Sequence, residues 1–392
     1  MHSTLMKYLT VVLSGVLACH FPVLATGPVR ALNSVTLPAA EGVIVGAAFS
    51  PDSSRVAILR HVIVPGVTNQ RHVMEIIELK SVQKLAHLEI LDVQAADLDS
   101  STHFIAYSSD SRYLILATEG SDVLWILDAV SLQALKRIPL HPEAESRRPL
   151  GQGHRYFRGV ISLAVSTRGD LFGLLTHDES QDNEVFIGSF SSERIIKRWS
   201  LGRGDTATQL GQISLSLGDD GSRTAVSVLP VENKLPKGFN NLRLYDTSTG
   251  EMVRSIRTDG FVGQIVLVPN ENIFTSRIDT PGIFSKKTCI DKWDFNTGTA
   301  DSHFCDQGRT VSVALAVSPT AGRVVGIASQ MHKDIEGYVY AAPGRVDVWD
   351  TTSGNLIASS SEISEFVSTL QVSSDGQWVM ADQMLLRLSS TP

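Results

Sequence analysis

The chain has 392 residues, 43% hydrophobic and 19% charged, which is ample to bury a core of useful size. It carries 34 Lys and Arg against 41 Asp and Glu, a formal charge of −7. Dispersed basic residues in a mildly acidic chain exclude a general nucleic-acid or anionic-membrane surface, because both need a concentrated basic field.

At the N-terminus, Lys7 precedes an apolar run, Tyr8 to Ala18, which His20 and Pro22 then break. It closes on Val23-Leu24-Ala25, the small-residue ending of a secretory cleavage site, so residues 1–25 read as a signal peptide. The run is too short and interrupted to span a bilayer. A soluble periplasmic or extracellular product is expected. The competing route is Val16-Leu17-Ala18-Cys19, which resembles a bacterial lipoprotein box. Lipidation at Cys19 would give a membrane-anchored envelope component, and only then is a membrane a partner.

Self-similarity dominates the remainder. An apolar strand runs into a turn at Ser50-Pro51-Asp52, Ser109-Asp110, Ser166-Thr167-Arg168-Gly169, Asp219-Asp220-Gly221, Pro269-Asn270-Glu271, Ser318-Pro319 and Ser373-Ser374-Asp375-Gly376. A second apolar run follows each turn. Third strands come next, Val73–Ile77, Val123–Leu127, Val185–Gly188, Leu242–Tyr245, Cys289–Trp293 and Val346–Trp349. They end in turns opened by Glu78, Asp128, Ser189, Asp246, Asp294 and Asp350, where a short acceptor side chain can bond the amides of the reversal. Fourth strands, such as Ala134–Leu140 and Leu356–Ser359, complete the unit.

Each unit is thus a four-stranded antiparallel meander that cannot bury both faces alone. Packing the units around an axis solves that problem. The seventh unit, Leu370 to Leu388, supplies only three strands, while Ala31–Leu37 lies before the first unit without a sequence partner. The expected fold is all-β: a seven-bladed β-propeller over residues 31–392, with the N-terminal strand completing the last blade. Six blades and an irregular cap are the alternative.

Trp293-Asp294 and Trp349-Asp350 at third-strand ends, with the Ser-Pro-Asp turns, resemble the WD-repeat propellers in their bacterial, exported form. The usual early Gly-His pair is missing, so that family's buried His-Asp-Ser-Trp set does not carry over. The resemblance implies a scaffold for binding partners, and occasionally an enzyme whose loops supply the chemistry.

Extra length falls on one side. Connections after strands one and three are tight. Those after strands two and four are long: His61–His72, Thr176–Glu184, Pro230–Asn240, Asp279–Lys287, Gln330–Pro343, and between units Asp92–His103, His141–Val160 and Gly202–Gln212. Binding is expected on that face. Its richest loop, 141–160, supplies the candidate contacts Arg147, Arg148, His154, Arg155, Tyr156 and Arg158, since guanidinium groups beside an aromatic ring suit protein and glycan-acid recognition. His177, Asp178, Glu179, Asp182 and Glu184 offer oxygen ligands but match no calcium-loop spacing. The Trp residues are expected to pack between blades. Cys289 and Cys305 flank the turn at 294–298 symmetrically, placing opposed strands within disulfide reach. No metal, cofactor or catalytic set is visible, and the expected product is a monomer that binds protein or glycan. The alternative is a hydrolase or oxidoreductase with residues converging at the channel mouth.

Overall fold

The computed structural model describes residues 29–62, 71–90, 103–118, 123–140, 159–177, 182–203, 214–228, 240–258, 261–269, 272–278, 290–304, 310–318, 320–333, 339–363 and 370–389. Strands β1 (Arg30–Val35) to β28 (Met384–Leu388) alternate in direction. They form sheets in the orders β2-β3-β4-β5, β6-β7-β8-β9, β10-β11-β12-β13, β14-β15-β16-β17 and β18-β19-β20-β21, with an eight-stranded sheet β22-β23-β24-β25-β1-β28-β27-β26. These are seven blades, the last two fused through β1. Blades 1 to 6 start at β2 (Val43–Phe49), β6 (His103–Tyr107), β10 (Gly159–Val165), β14 (Leu215–Leu217), β18 (Phe261–Val268) and β22 (Thr310–Ser318), and blade 7 at β26 (Leu370–Val372).

The closing strand is where the sequence places it. β1 runs antiparallel to β28, with Leu32 opposite Leu388 and Val35 opposite Leu385. Its other edge pairs in parallel with β25 (Leu356–Ser360), Arg30 to Leu32 against Ala358 to Ser360. Nothing local in the chain marks this second pairing. It welds the rims of blades 6 and 7 together.

There is no single core. Seven buried clusters occupy the seven joints between successive blades. Both faces of each sheet are therefore buried, which is why third strands such as Val73-Met74-Glu75-Ile76-Ile77 run apolar with little alternation. Trp293, Trp349 and Trp378 lie in three of these clusters, and Trp125 and Trp199 pack against two others. In blade 3 the third-strand position taken by Trp293 and Trp349 in blades 5 and 6 is Gly188, and the Phe172 ring fills its place: a Cβ there would come within 2.0 Å of that ring.

The turns work as their side chains dictate. Ser50 donates to Asp52 at 2.5 Å and accepts from the Arg55 amide at 2.9 Å; Ser108 with Asp110 and Tyr113, and Ser373 with Asp375 and Trp378, repeat the arrangement. At the third-strand turns, Asp128, Asp246, Asp294 and Asp350 accept from amides of the reversal. The residue before the fourth strand's turn exit is left-handed: Gly250, Gly298 and Gly354 in blades 4 to 6, but Val82, Leu132 and Glu193 in blades 1 to 3. At two of these the unfavourable φ is accompanied by a side chain that plugs a joint, Leu132 within one cluster and Val82 against another.

Two expected loops prove largely to be strand. β11 runs to His177 and β12 starts at Asp182, while β23 runs to Lys333 and β24 starts at Val339. In both cases backbone pairing continues past the last apolar residue, with Thr176 opposite Glu184 and His332 opposite Tyr340.

Leu32 is 4% exposed and belongs to the joint of blades 6 and 7. Leu32→Ala is expected to lower unfolding free energy in urea titration by about 2–4 kcal/mol, from lost burial and the cavity left. Val29→Ala, at an exposed neighbour, should change it by less than about 0.5 kcal/mol.

Candidate functional site

The candidate contacts Arg147, Arg148, His154, Arg155, Tyr156 and Arg158, and both Cys289 and Cys305, lie outside the described residues. Their stems are described. Leu140 and Val160, on either side of 141–158, are 3% and 0% exposed and share one cluster at the joint of blades 2 and 3. Ile290 and Phe304, next to the two cysteines, are directly opposed in register.

Connection lengths bear out the one-sided design in part, since 119–122, 178–181, 257–260, 305–309 and 334–338 on the long-loop face are as short as the tight turns. On one face the links between strands are 50–54, 79–82, 108–112, 129–133, 166–170 and their equivalents. On the other they include 63–70, 91–102, 140–158, 204–214, 228–241 and 279–289.

Near the long-loop face of blade 1, His61 and His72 stand opposite each other on β3 (Arg55–Val62) and β4 (Arg71–Glu78), with rings stacked at 5.0 Å and 7°. His72 is 1% exposed. Burial, then the neighbouring His61 charge, push its pKa down to about 4. Deeper in the blade, buried Glu75 takes Arg60 at 3.0 Å and also Lys84. Comparable third-strand acids are Asp291, held by His303 at 2.6 Å, and Asp347, held by Arg345 at 2.8 Å and Ser359 at 2.6 Å. Glu184, considered as an oxygen ligand, accepts both arms of Arg198 at 3.0 and 2.7 Å. Among the described residues no three His, Cys, Asp or Glu converge to hold a metal ion.

One hollow on the tight-turn face lies on the axis. A cavity of about 590 Å³ is lined by every blade at the same turn: Pro51, Ser109, Thr167, Asp219, Pro269, Thr320 and Ser374. Beneath this polar lip the wall is apolar, including Phe49, Leu163, Val165, Val317 and Val372. Its one carboxylate, Asp219, is paired with Arg168. A second hollow, about 670 Å³, runs outward across blades 1 to 3 and shares Pro51, Ser109 and Thr167 with the first. Sequence reading missed both, because their residues lie some fifty positions apart and meet only when the ring closes.

No protein-family model matches the chain, and no curated protein matches it. Its backbone, in contrast, matches 1092 solved chains. Among them is the structure of U3-55K, a WD40 protein, with a TM-score of 0.58 and 14% identity over 92% of this chain and 99% of that one. The fold is a WD-repeat-like β-propeller. At that identity the likeness concerns architecture alone. Within blade 5 the Trp293 indole donates to the Thr275 hydroxyl on the neighbouring strand at 3.0 Å.

The His pair sets a pH dependence. In the unfolded chain His72 protonates near 6.5, and in the fold near 4. Protons therefore favour the unfolded state between these values, and stability falls as pH drops through that window. The expected loss by pH 4.5 is on the order of 2 kcal/mol. Urea titrations of His72→Phe over the same range should be flatter; an equal slope would remove His72 as the cause.

Proposed function

We propose that this protein is a non-catalytic, exported propeller that binds a protein or glycan through its long-loop face. The observation carrying this reading is the asymmetry of connection lengths around a rigid ring. Loops on such a scaffold are free to vary without disturbing the joints. Segment 141–158 is the strongest candidate on that face because its two stems are fixed in one cluster, which limits the entropy lost on ordering it against a partner. Its Arg147, Arg148, His154, Arg155, Tyr156 and Arg158 would provide charge-assisted and stacking contacts. Against an enzyme stands the described channel mouth, whose single carboxylate is neutralised by Arg168. Export rests on the leader at residues 1–25 and on Cys289 and Cys305, whose neighbours Ile290 and Phe304 are paired across a hairpin. Lipidation at Cys19 remains the competing fate of the leader.

A cross-linking pull-down from envelope and culture-fluid extracts tests the face. The mature protein should capture a partner that is lost when Arg147, Arg148, Arg155 and Arg158 are all replaced by Ser. Equal capture by both proteins would discard this loop as the contact. For the cysteines, thiol titration of denatured, unreduced mature protein should find no free thiol, and two after reduction. Two free thiols before reduction would exclude the bond.

A further inference from the structure

We propose that the axial cavity and the adjoining groove on the tight-turn face form one binding site for a ligand with an apolar body and a cationic end. This site lies opposite the long-loop face and does not depend on the function proposed for it.

The axial cavity supplies the apolar half. Its volume falls within the roughly 300–1,000 Å³ of small-molecule sites, and its wall of Phe49, Leu163, Val165, Val317 and Val372 sits below a polar lip. The groove supplies the charged half. It is lined by Asp52, Asp110 and Asp128 against Arg55 and Arg112. Each carboxylate is already ordered by its own turn. Asp52 Oδ1 accepts from the Ser50 hydroxyl and the Ser54 amide, Asp110 Oδ1 from the Ser108 hydroxyl and the Arg112 amide, and Asp128 Oδ1 from the Val130 and Ser131 amides. Every one of these bonds falls on Oδ1, so none of them occupies Oδ2. The same bonds hold the three carboxyls below the ordinary carboxylate range, against burial at Asp52 and Asp110, so all are ionised near neutrality.

The charges do not cancel. Arg112 lies over the Tyr113 ring at 5.4 Å and is shared between Asp110 and Asp128, while Arg55 faces Asp52. Three carboxylates against two guanidinium groups leave one negative charge in excess. At the lip, Arg168 is spent on Asp219. A cation therefore fits and a carboxylate does not.

Tyr107 gives an independent pointer. It lines the axial cavity, is 4% exposed, and its buried hydroxyl has no hydrogen-bond partner. A buried hydroxyl without a partner is costly, and a ligand group reaching it from the axial cavity would satisfy it.

The test uses the mature protein, titrated calorimetrically at low ionic strength with 4-phenylbutylammonium and with 4-phenylbutyrate. Their apolar bodies match and their charges are opposite. The amine should bind one-to-one and at least about tenfold tighter than the acid. Asp128→Asn should weaken the amine about tenfold without lowering the thermal midpoint, because Asn retains the Oδ1 acceptor that holds the turn. Tyr107→Phe, which keeps the ring, should also weaken it. N-acetyl-Phe-Arg amide distinguishes the source: binding of the peptide without the free amine assigns the site to a peptide end, and the reverse assigns it to a small organic cation. Equal or tighter binding of the acid, unchanged amine affinity in both variants, or no binding of any cationic probe would overturn the proposal. The four-Ser variant of loop 141–158 should bind the amine like the parent, so failure here and failure of the long-loop reading are separable.

Discussion

The innermost strand of every blade is a sheet edge, and seven such edges face one another around the axis without pairing to each other. Their outward amides need acceptors, and the preceding blade provides them from side chains. The Leu215 amide donates to Ser162 at 3.1 Å, Leu267 to Ser216 at 2.9 Å, Leu315 to Gln264 at 2.7 Å and Ile44 to Gln383 at 2.8 Å, with Gln383 donating back to the Ile44 carbonyl. Inner strands carry register shifts at several of these points, between Val160 and Ser162, Val262 and Ile265, Val311 and Leu315, and Ile44 and Gly46. A bulge frees an amide from its own sheet and re-aims it at the neighbour. The stitching is consequently sequential, each blade bonded to the one before it. Closure rests on two contacts, the Ile44–Gln383 pair between blades 1 and 7 and β1, which ties residues near 30 to residues near 388.

The rim faces the opposite problem. Outer strands are open edges, and blades 1 to 6 each insert one extra residue at the same place: Leu85, Leu135, Ile196, Val253, Asp301 and Ile357. A bulge there twists the edge and discourages pairing with another chain. Blade 6 shows how the remaining edge is used, because β1 lies along Ala358 to Ser360 just beyond its bulge. Inside the blades, buried acids such as Glu75 and Asp347 are each matched by nearby cations or hydroxyls. Such pairs add little net stability, but removing one partner leaves a buried charge, so they penalise a slipped register.

The two faces of the disc divide the chemistry. On one, Ser and Asp side chains spend their acceptors on short turns, which produces a rigid floor of fixed charges around an apolar hollow. On the other, the strands hand over to long connections. Rigidity on the first face and length on the second follow from the same hairpin geometry, in which alternate links fall at opposite ends of the blade.

Repeats, turn chemistry and the one-sided distribution of length were legible in the sequence because each is local. Ser-x-Asp turns, acidic turn openers and the orphan strand near residue 31 need no knowledge of distant contacts, and they determined seven meanders and the means of closing them. Where strands end was less legible: Thr176 to Glu184 and Gln330 to Pro343 look like loops because pairing of backbone amides does not require apolar side chains. The parallel seam of β1 on β25 and the seven joints were decided by tertiary structure. So was the continuous cavity and groove, for the positions that build it, such as Pro51, Ser109, Thr167 and Asp219, are individually ordinary turn residues. Sequence sets what each turn is; only closure of the ring sets which turns share a wall, because that distance is fixed by packing across joints and not by separation along the chain.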